Sequence, residues 1–463
     1  LKKSKILLSV LTVLVIAFAT SSIAMAAPNE NANPNASENS SENASDRAKE
    51  VSNPNSAIKS TIETIADISA TVNQDESFTL PSTVTATMSD GSTKDVPVTW
   101  EPSTADTSAV GTFTFIGTVS GFNGNVTLTL EVVPVVIHFP DDNLERVIRE
   151  EINKPTGDIF KSDVEQIIIL FADEENIIDL TGLENLSNLQ ELHMDGNQIS
   201  DITPLSNLTN LQKLFFGGNL GNQISDITPL TGLTNLQQLF LGSNQITNIT
   251  ALSNLTNLQQ LHLDNNQISD ITPLSGLINL QFLSVHNNQI TNITALSGLI
   301  NLNQLHLGEN DIQDITALSG LINLNILSLD ANEISNITAL SGLTNLQQLF
   351  LRANQINDIT ALSGLINLQT LDLGDNQISN ITALSGLTNL QHLFMGANQI
   401  SNITVLSGLT NLQTLVLRMN QISDISALVG LTNLQQLDLR QNPISPADIQ
   451  QLQIALPDCQ ILF

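Results

Sequence analysis

Residues 258–279 read LQQLHLDNNQISDITPLSGLIN, and close copies of this stretch fill most of the chain after residue 165. Leu258, Leu261, Leu263, Ile268, Ile271, Leu274 and Leu277 are aliphatic here, and the other copies place aliphatic residues at the same positions. Leu261 and Leu263 flank a single outward residue, the period-two alternation of a short strand. Asn266 then marks a turn. A buried amide there must be hydrogen-bonded, and the free backbone groups of a sharply turning chain are the partners at hand, so stacked copies predict an asparagine ladder. The return from Asp270 to Leu274 is too short for a full α-helix. A 3₁₀ or extended turn is expected, capped by Asp270 or Thr272.

The period is 22 residues, and the ladder asparagines are Asn197, Asn222, Asn244, Asn266, Asn288, Asn310, Asn332, Asn354, Asn376, Asn398, Asn420 and Asn442. Glu175 holds the same place one turn earlier, which makes 13 turns over residues 166–447. Self-similarity at this period predicts a leucine-rich-repeat solenoid, with a parallel β-sheet on the concave face and 3₁₀ or extended turns on the convex face. Each buried aliphatic side chain contributes about 1.5–3 kcal/mol, but only a stacked neighbour supplies the burial. The apolar ends therefore need covers. Residues 137–165 read as a helical N-terminal cap: Pro140-Asp141-Asp142 precedes Leu144, Val147, Ile148 and Ile152 at helical spacing, and Ser162 to Glu165 has the form of a capping box. Two prolines and a helical pattern after Asn442 make residues 448–463 a C-terminal cap. One turn departs from the period, with a three-residue insertion at Asn219-Leu220-Gly221-Asn222 beside Phe215 and Phe216. Solenoids tolerate such loop insertions readily.

Upstream, Lys2, Lys3 and Lys5 precede an apolar run from Ile6 to Ala19, and Ala24-Met25-Ala26 supplies small residues for cleavage. Residues 1–26 are expected to be a secretory signal peptide, the run being short for a membrane span. Residues 27–61, rich in Asn, Ser, Glu and Pro, should be a disordered spacer. In residues 62–135 apolar positions alternate through Val84, Ala86, Met88, then Val96, Val98, Trp100, then Val126, Leu128, Leu130, Val132. With Asp90-Gly91 and Asn123-Gly124 at turns, this predicts antiparallel hairpins in a small all-β sandwich around Trp100.

Across 463 residues there are 15 Lys+Arg against 45 Asp+Glu, a net charge of -30 that excludes nucleic acid as a partner held by charge. The one cysteine, Cys459, permits no internal disulfide and no cysteine-based zinc site, and reads as a small buried residue. No lipase-type serine elbow, metalloprotease helix or phosphate loop occurs, and a solenoid sheet offers a broad groove rather than a closed pocket. The chain does not read as an enzyme, and no cofactor is called for.

Outward strand residues are the third, fifth, seventh and eighth of each unit. The four basic residues after position 165, Lys213, Arg352, Arg418 and Arg440, all fall there, as do His193, His262, His286, His306 and His392. Phe215, Phe240, Phe282, Phe350 and Phe394 join them. An apolar, partly cationic stripe on an acidic body is what a protein-binding face looks like, since aromatics and Arg carry most interface energy. Some of this clustering is forced, because inward positions cannot take charge, and a repeated Phe can be a copy made by duplication. His262, His286 and His306 on consecutive turns invite a metal reading, but no carboxylate or thiol recurs at fixed spacing. Solvated histidines, or a proton-sensitive interface, are simpler. The Asp column, including Asp201, Asp270, Asp314 and Asp358, suits turn capping as well as calcium, and is interrupted by Asn248, Asn292 and Asn336. Asn248-Ile249-Thr250 matches a glycosylation sequon but is simply the repeat turn.

LPSTVTATMSDGSTKDVPVTWEP (80–102) followed by GTFTFIGTVSGFNGNVTLTLEV (111–132) resembles the bacterial immunoglobulin-like domains of surface proteins, which implies a spacer or adhesive module. FPDDNLERVIREEINKPTGDIFKSDV (139–164), followed by units of the form LxxLxLxxNQISDITPLSGLTN, resembles the internalin family of Gram-positive bacteria. That resemblance implies a curved surface protein that binds another protein through its sheet face. The immunoglobulin-like domain usually follows the repeats in that family and here precedes them; no wall-sorting motif is seen, and host-cell invasion is not carried over. The expectation is thus a secreted, envelope-associated or extracellular monomer without a transmembrane segment after signal cleavage, binding a protein ligand through the concave face. The alternatives are an envelope spacer without a ligand and polysaccharide binding, the latter disfavoured by the absence of Tyr and by the placement of the sole Trp, Trp100, in the β domain.

Overall fold

The computed structural model describes residues 60–218 and 221–463. The expected signal peptide, the expected spacer up to residue 59, and Asn219 and Leu220 of the insertion lie outside them.

The first seven strands are β1 (Ile62–Ile65), β2 (Ile68–Asn73), β3 (Thr83–Met88), β4 (Thr93–Pro97), β5 (Thr99–Glu101), β6 (Gly111–Thr118) and β7 (Val126–Val133). They form two sheets, ordered β1-β3-β4 and β2-β7-β6-β5. Their inward faces close over Val84, Trp100, Phe115, Leu128 and Leu130, all buried, and the Trp100 indole donates to the Pro81 carbonyl at 2.7 Å. One expectation fails: β2 pairs with β7 in parallel, not antiparallel. Side-chain alternation has the same period in both arrangements and so does not encode direction. At the β6–β7 connection the left-handed residue is Gly121 (φ 85°) rather than Gly124 of the Asn-Gly pair.

Two short strands, β8 (Val136–Ile137) and β9 (Ile159–Phe160), pair antiparallel around α1 (Asp142–Glu151), and α2 (Lys161–Val164) follows. Asp141 accepts from the Asn143 and Leu144 amides through Oδ1 and from the Ile178 and Asp179 amides through Oδ2. One carboxylate thus caps α1 and fastens it to the first repeat turn. Beneath it Leu144, Val147 and Ile148 are buried. Glu175, which occupies the ladder position of that turn, instead points out to the guanidinium of Arg146. The expected capping box does not form, and only its return half is present, two residues earlier than expected. The N-cap is Phe160, whose amide donates to Asp163 Oδ2 at 2.8 Å, while Ser162 lies inside the helix. Lys161 also reaches back to Asp75 of the β domain at 2.9 Å.

Among the described residues, 14 strands then form one parallel sheet in chain order. Each strand is three residues long, and its partner lies 22 positions on, as in Gln260↔Phe282 and Leu261↔Leu283. The step is 25 across the insertion, Lys213↔Gln238, and 24 to the last strand, Gln436↔Gln460. The seven aliphatic positions are buried in every turn but the last; in the unit from Leu258 none is more than 1% exposed. On the return side Thr272–Gly276 is a 3₁₀ turn, and Asp270 Oδ1 accepts from the Thr272 amide at 2.8 Å. Asp270 therefore does the capping, from one residue before the cap position Ile271.

The asparagine ladder works between turns as well as within them. Asn288 Oδ1 accepts from the Ile268 amide of the preceding turn, and its Nδ2 donates to Leu263 O of that turn and Val285 O of its own. In the insertion turn Asn222 is the ladder residue: it accepts from Ile199 N and donates to Met194 O and Phe216 O. A second ladder was not foreseen. Asn279 Nδ2 donates to Thr256 O of the preceding turn, and Asn257, Asn301, Asn323 and Asn345 repeat the bond. Its signal was the unvarying Asn just before each unit's first leucine.

At the far end α3 (Pro446–Ala455) begins at Ser445, whose Oγ accepts from the Asp448 amide. Residues Gln460–Leu462 then add a last parallel strand beside Gln436–Asp438. Cys459, expected to be buried, is half-buried against the core, and this burial pushes its thiol up.

Candidate ligand-binding face

The third, fifth, seventh and eighth residues of each unit stand on the open side of the sheet, because the alternate fourth and sixth residues fill the core. In-register stacking then aligns fifth residues from turn to turn. Phe171, His193, Phe215, Phe240 and His262 follow one another in this way. Their rings meet with centroid separations of 4.4, 4.2, 4.6 and 4.0 Å, the first pair tilted by 34° and the other three stacked. The next fifth residue is the small Ser284, and Phe282 from the third position of that turn leans into the space. Phe282 meets His262 at 4.2 Å and His306 at 5.3 Å, so the ribbon continues unbroken across seven turns. Separate outward candidates in the sequence are one continuous object in the structure.

Phe171 was missed as a candidate. It is 62% exposed at the open end of the ribbon and could have been found by counting the repeat back from Leu189 to Ile167. The stacking alters the histidines. Burial between Phe240 and Phe282 depresses His262 to about 4, against the pull of Asp264, and burial followed by the charge of His286 lowers His306.

The basic residues are less free than the sequence suggested. His193 and Lys213 both contact Glu191, at 2.8 and 2.9 Å, and hold its carboxyl below the usual range. His286 lies 3.7 Å from Glu309. Arg352 pairs with Asp375 at 2.7 Å, and Arg440 with Asp438 at 2.6 Å, lowering the Asp438 carboxyl. Arg418 makes no ion pair among the described residues, though its charge reaches Asp438. Phe350 and Phe394 flank the strand carrying Asp372 and join no ring stack among the described residues, and His392, on the strand of Phe394, stands at the third position between Thr370 and Thr414. Asp372 is itself pushed up by burial, as are Asp195 and Asp330. The stripe therefore carries its continuous ring contacts toward the N-terminal end and its arginine ion pairs toward the C-terminal end.

Along the flank, Gln and Asn side chains line two grooves, one including Gln237, Asn257, Gln259 and Asn279, the other including Gln369, Asn389, Gln391 and Asn411. Asn248 Oδ1 accepts from the Thr250 amide, the same turn-capping bond that Asp270 makes. Among the described residues no three His, Cys, Asp or Glu side chains are grouped to hold a metal ion, and no helix is long and apolar enough to cross a membrane.

Residues 65–122 match the bacterial Ig-like domain (group 4) family, and leucine-rich-repeat matches cover 187–322, 366–408 and 410–453. An internalin (InlF) from Listeria monocytogenes is 37% identical over 71% of this chain and 97% of its own, with a TM-score of 0.68. The chain belongs to the internalin family. A second Listeria monocytogenes internalin, InlC2, is 38% identical over 46% of this chain and 94% of its own, with a TM-score of 0.44. The plant peptide hormone receptor RGFR1, solved in complex with RGF2, is 24% identical over 65% of this chain and 52% of its own at a TM-score of 0.55, a likeness of fold. No curated protein sequence matches. In this chain the Ig-like domain stands before the repeats.

Proposed function

We propose that this internalin-family chain is an exported, monomeric protein-binding module that engages a protein ligand through the sheet face of its repeats, in an adhesion or receptor-binding role. The observation that carries the reading is the aromatic ribbon from Phe171 to His306. The solenoid is already held by its inward aliphatics and ladder, so outward aromatics add little to folding, whereas at an interface they supply most of the binding energy. Export follows from the lysines and apolar run of residues 1–26. The role is that of a scaffold without a catalytic step.

The test is capture of proteins from host-surface and bacterial-envelope extracts by the purified chain and by its Phe240→Glu/Phe350→Glu variant. A protein retained by the parent and lost from the folded variant supports the reading. Equal retention by both removes it and favours a rigid envelope spacer. A second reading, neutral glycan binding, draws on the amide-lined flank grooves. It predicts binding to glycans that survives protease treatment of the extract.

A further inference from the structure

The sheet face has two unlike halves. The seventh-position row up to residue 330 reads Asp173, Asp195, Gly217, Gly242, Asp264, His286, Gly308 and Asp330; beyond it the same row carries Arg352, Arg418 and Arg440. The arginines stand among carboxylates of equal number, Asp372, Asp375 and Asp438, so that half is close to neutral. No such balance exists in the first half. Lys213 is its one lysine or arginine on the outward positions and is already paired with Glu191. The uncompensated negative charge of the face and the aromatic ribbon therefore occupy the same turns.

We infer that the partner's contact surface is a basic protein segment, with Lys or Arg side chains laid across the ribbon and their charged heads over the aspartate row. This rests on the reading of the sheet face as the binding surface. The ring geometry supports it. Stacked rings cover one another's faces and present apolar edges, which do not attract a cation directly. A long basic side chain suits such a strip, because its methylene stem packs on apolar surface while its head stays with carboxylates and water. The space over Gly242 is taken by the Asp264 carboxylate, 2.8 Å from where a β-carbon would stand, so this carboxylate lies along the row beside the ribbon. An acidic or neutral partner would leave the carboxylates desolvated and unpaired.

The probe is hexalysine, titrated calorimetrically into the purified chain at physiological salt, with hexaglutamate as its opposite. Two charge-matched variants are compared. Asp195→Asn/Asp264→Asn neutralises the face and keeps the acceptor that Asp195 offers to Gly217 N. Asp270→Asn/Asp314→Asn neutralises the turn side and installs the residue already present at Asn248 and Asn292. Hexalysine affinity should fall at least about fivefold in the face pair and less than about twofold in the turn pair. Phe240→Ala alone should weaken it about threefold through lost stem packing. Equal losses from both pairs, indifference to Phe240→Ala, hexaglutamate binding as tightly, or no hexalysine binding would each overturn the inference. The two readings fail separately: equal protein capture by the parent and Phe240→Glu/Phe350→Glu removes the binding face, whereas capture lost in that variant but unchanged in Asp195→Asn/Asp264→Asn leaves the face and removes the basic partner.

Discussion

The rings of Phe240 and His262 stack 4.0 Å apart with planes 14° from parallel. An imidazole in that position loses water and cannot charge easily, which is why His262 is depressed to about 4. The unfolded chain has no such constraint, so between about pH 6.5 and 4 it binds a proton that the folded chain refuses. Stability contributed by the neutral ring is thus complete above pH 6.5 and declines as pH falls toward 4. The exposed rim of the ring is screened by water, so the loss should be on the order of 1–2 kcal/mol. His262→Phe keeps the stack and removes the titration. Denaturant midpoints of parent and variant should converge at neutral pH and separate below pH 6, with the parent falling further; parallel curves would show that His262 titrates normally.

The two asparagine ladders should differ in worth. Asn310 accepts from Ile290 N and donates to Val285 O and Leu307 O, all buried. Asn310→Ala strands those groups without water, at about 1–3 kcal/mol each before relaxation, and a total of about 3 kcal/mol or more is expected. Asn301 donates to Ile278 O on the surface, where water replaces it. Asn301→Ala should cost under about 1 kcal/mol. Urea denaturation of the two variants checks the contrast, and a comparable loss from both would mean that burial does not set the ladder's value.

Every unit turns through a left-handed residue at its eighth position, and several turns fill it with alanine: Ala331 at φ 51°, Ala353 at 57° and Ala397 at 55°. A β-carbon there is opposed by the following carbonyl, whereas glycine meets no such penalty. Ala353→Gly and Ala397→Gly should each stabilise the chain by roughly 0.5–1 kcal/mol, the gain being reduced by glycine's greater freedom when unfolded. A lower melting temperature in either variant would contradict this.

The fold was legible because the repeat displays itself thirteen times: a single unit's aliphatic positions are ambiguous, but positions such as Leu261 and Ile268 recur at one spacing that only stacking explains. Local direction was less legible. Alternation in Ile68–Asn73 and Val126–Val133 says which residues face inward and nothing about whether the strands run together. At the binding face the residue types could be read, but not their company. Phe215, Phe240 and His262 were visible as outward residues, whereas their joining with Phe171 and Phe282 depends on ring rotamers and on the gap left by Ser284. The ion pairs of Lys213, Arg352 and Arg440 were likewise hidden, because each joins outward residues through side-chain geometry that residue type leaves open.

Asp141 offers a test of how the N-terminal cap is held. Burial raises its carboxyl, but the amides of Ile178, Leu144, Asp179 and Asn143 outweigh that and hold it below the usual carboxylate range. A carboxylate stabilised in this way contributes above its unfolded value of about 3.9, and the contribution is lost as pH falls through the lower folded value. Asp141→Asn keeps one acceptor oxygen and turns an amide N–H toward the donors that Oδ2 served, so it should cost about 1–2 kcal/mol at pH 7. The gap between parent and variant should narrow below pH 4 as the parent's own carboxylate protonates. Hydrogen exchange gives the location: the amides of Leu144 and Ile178 should lose protection together in Asp141→Asn, since one side chain serves both. Loss at Leu144 alone would mean that the carboxylate caps the helix without fastening it to the first turn.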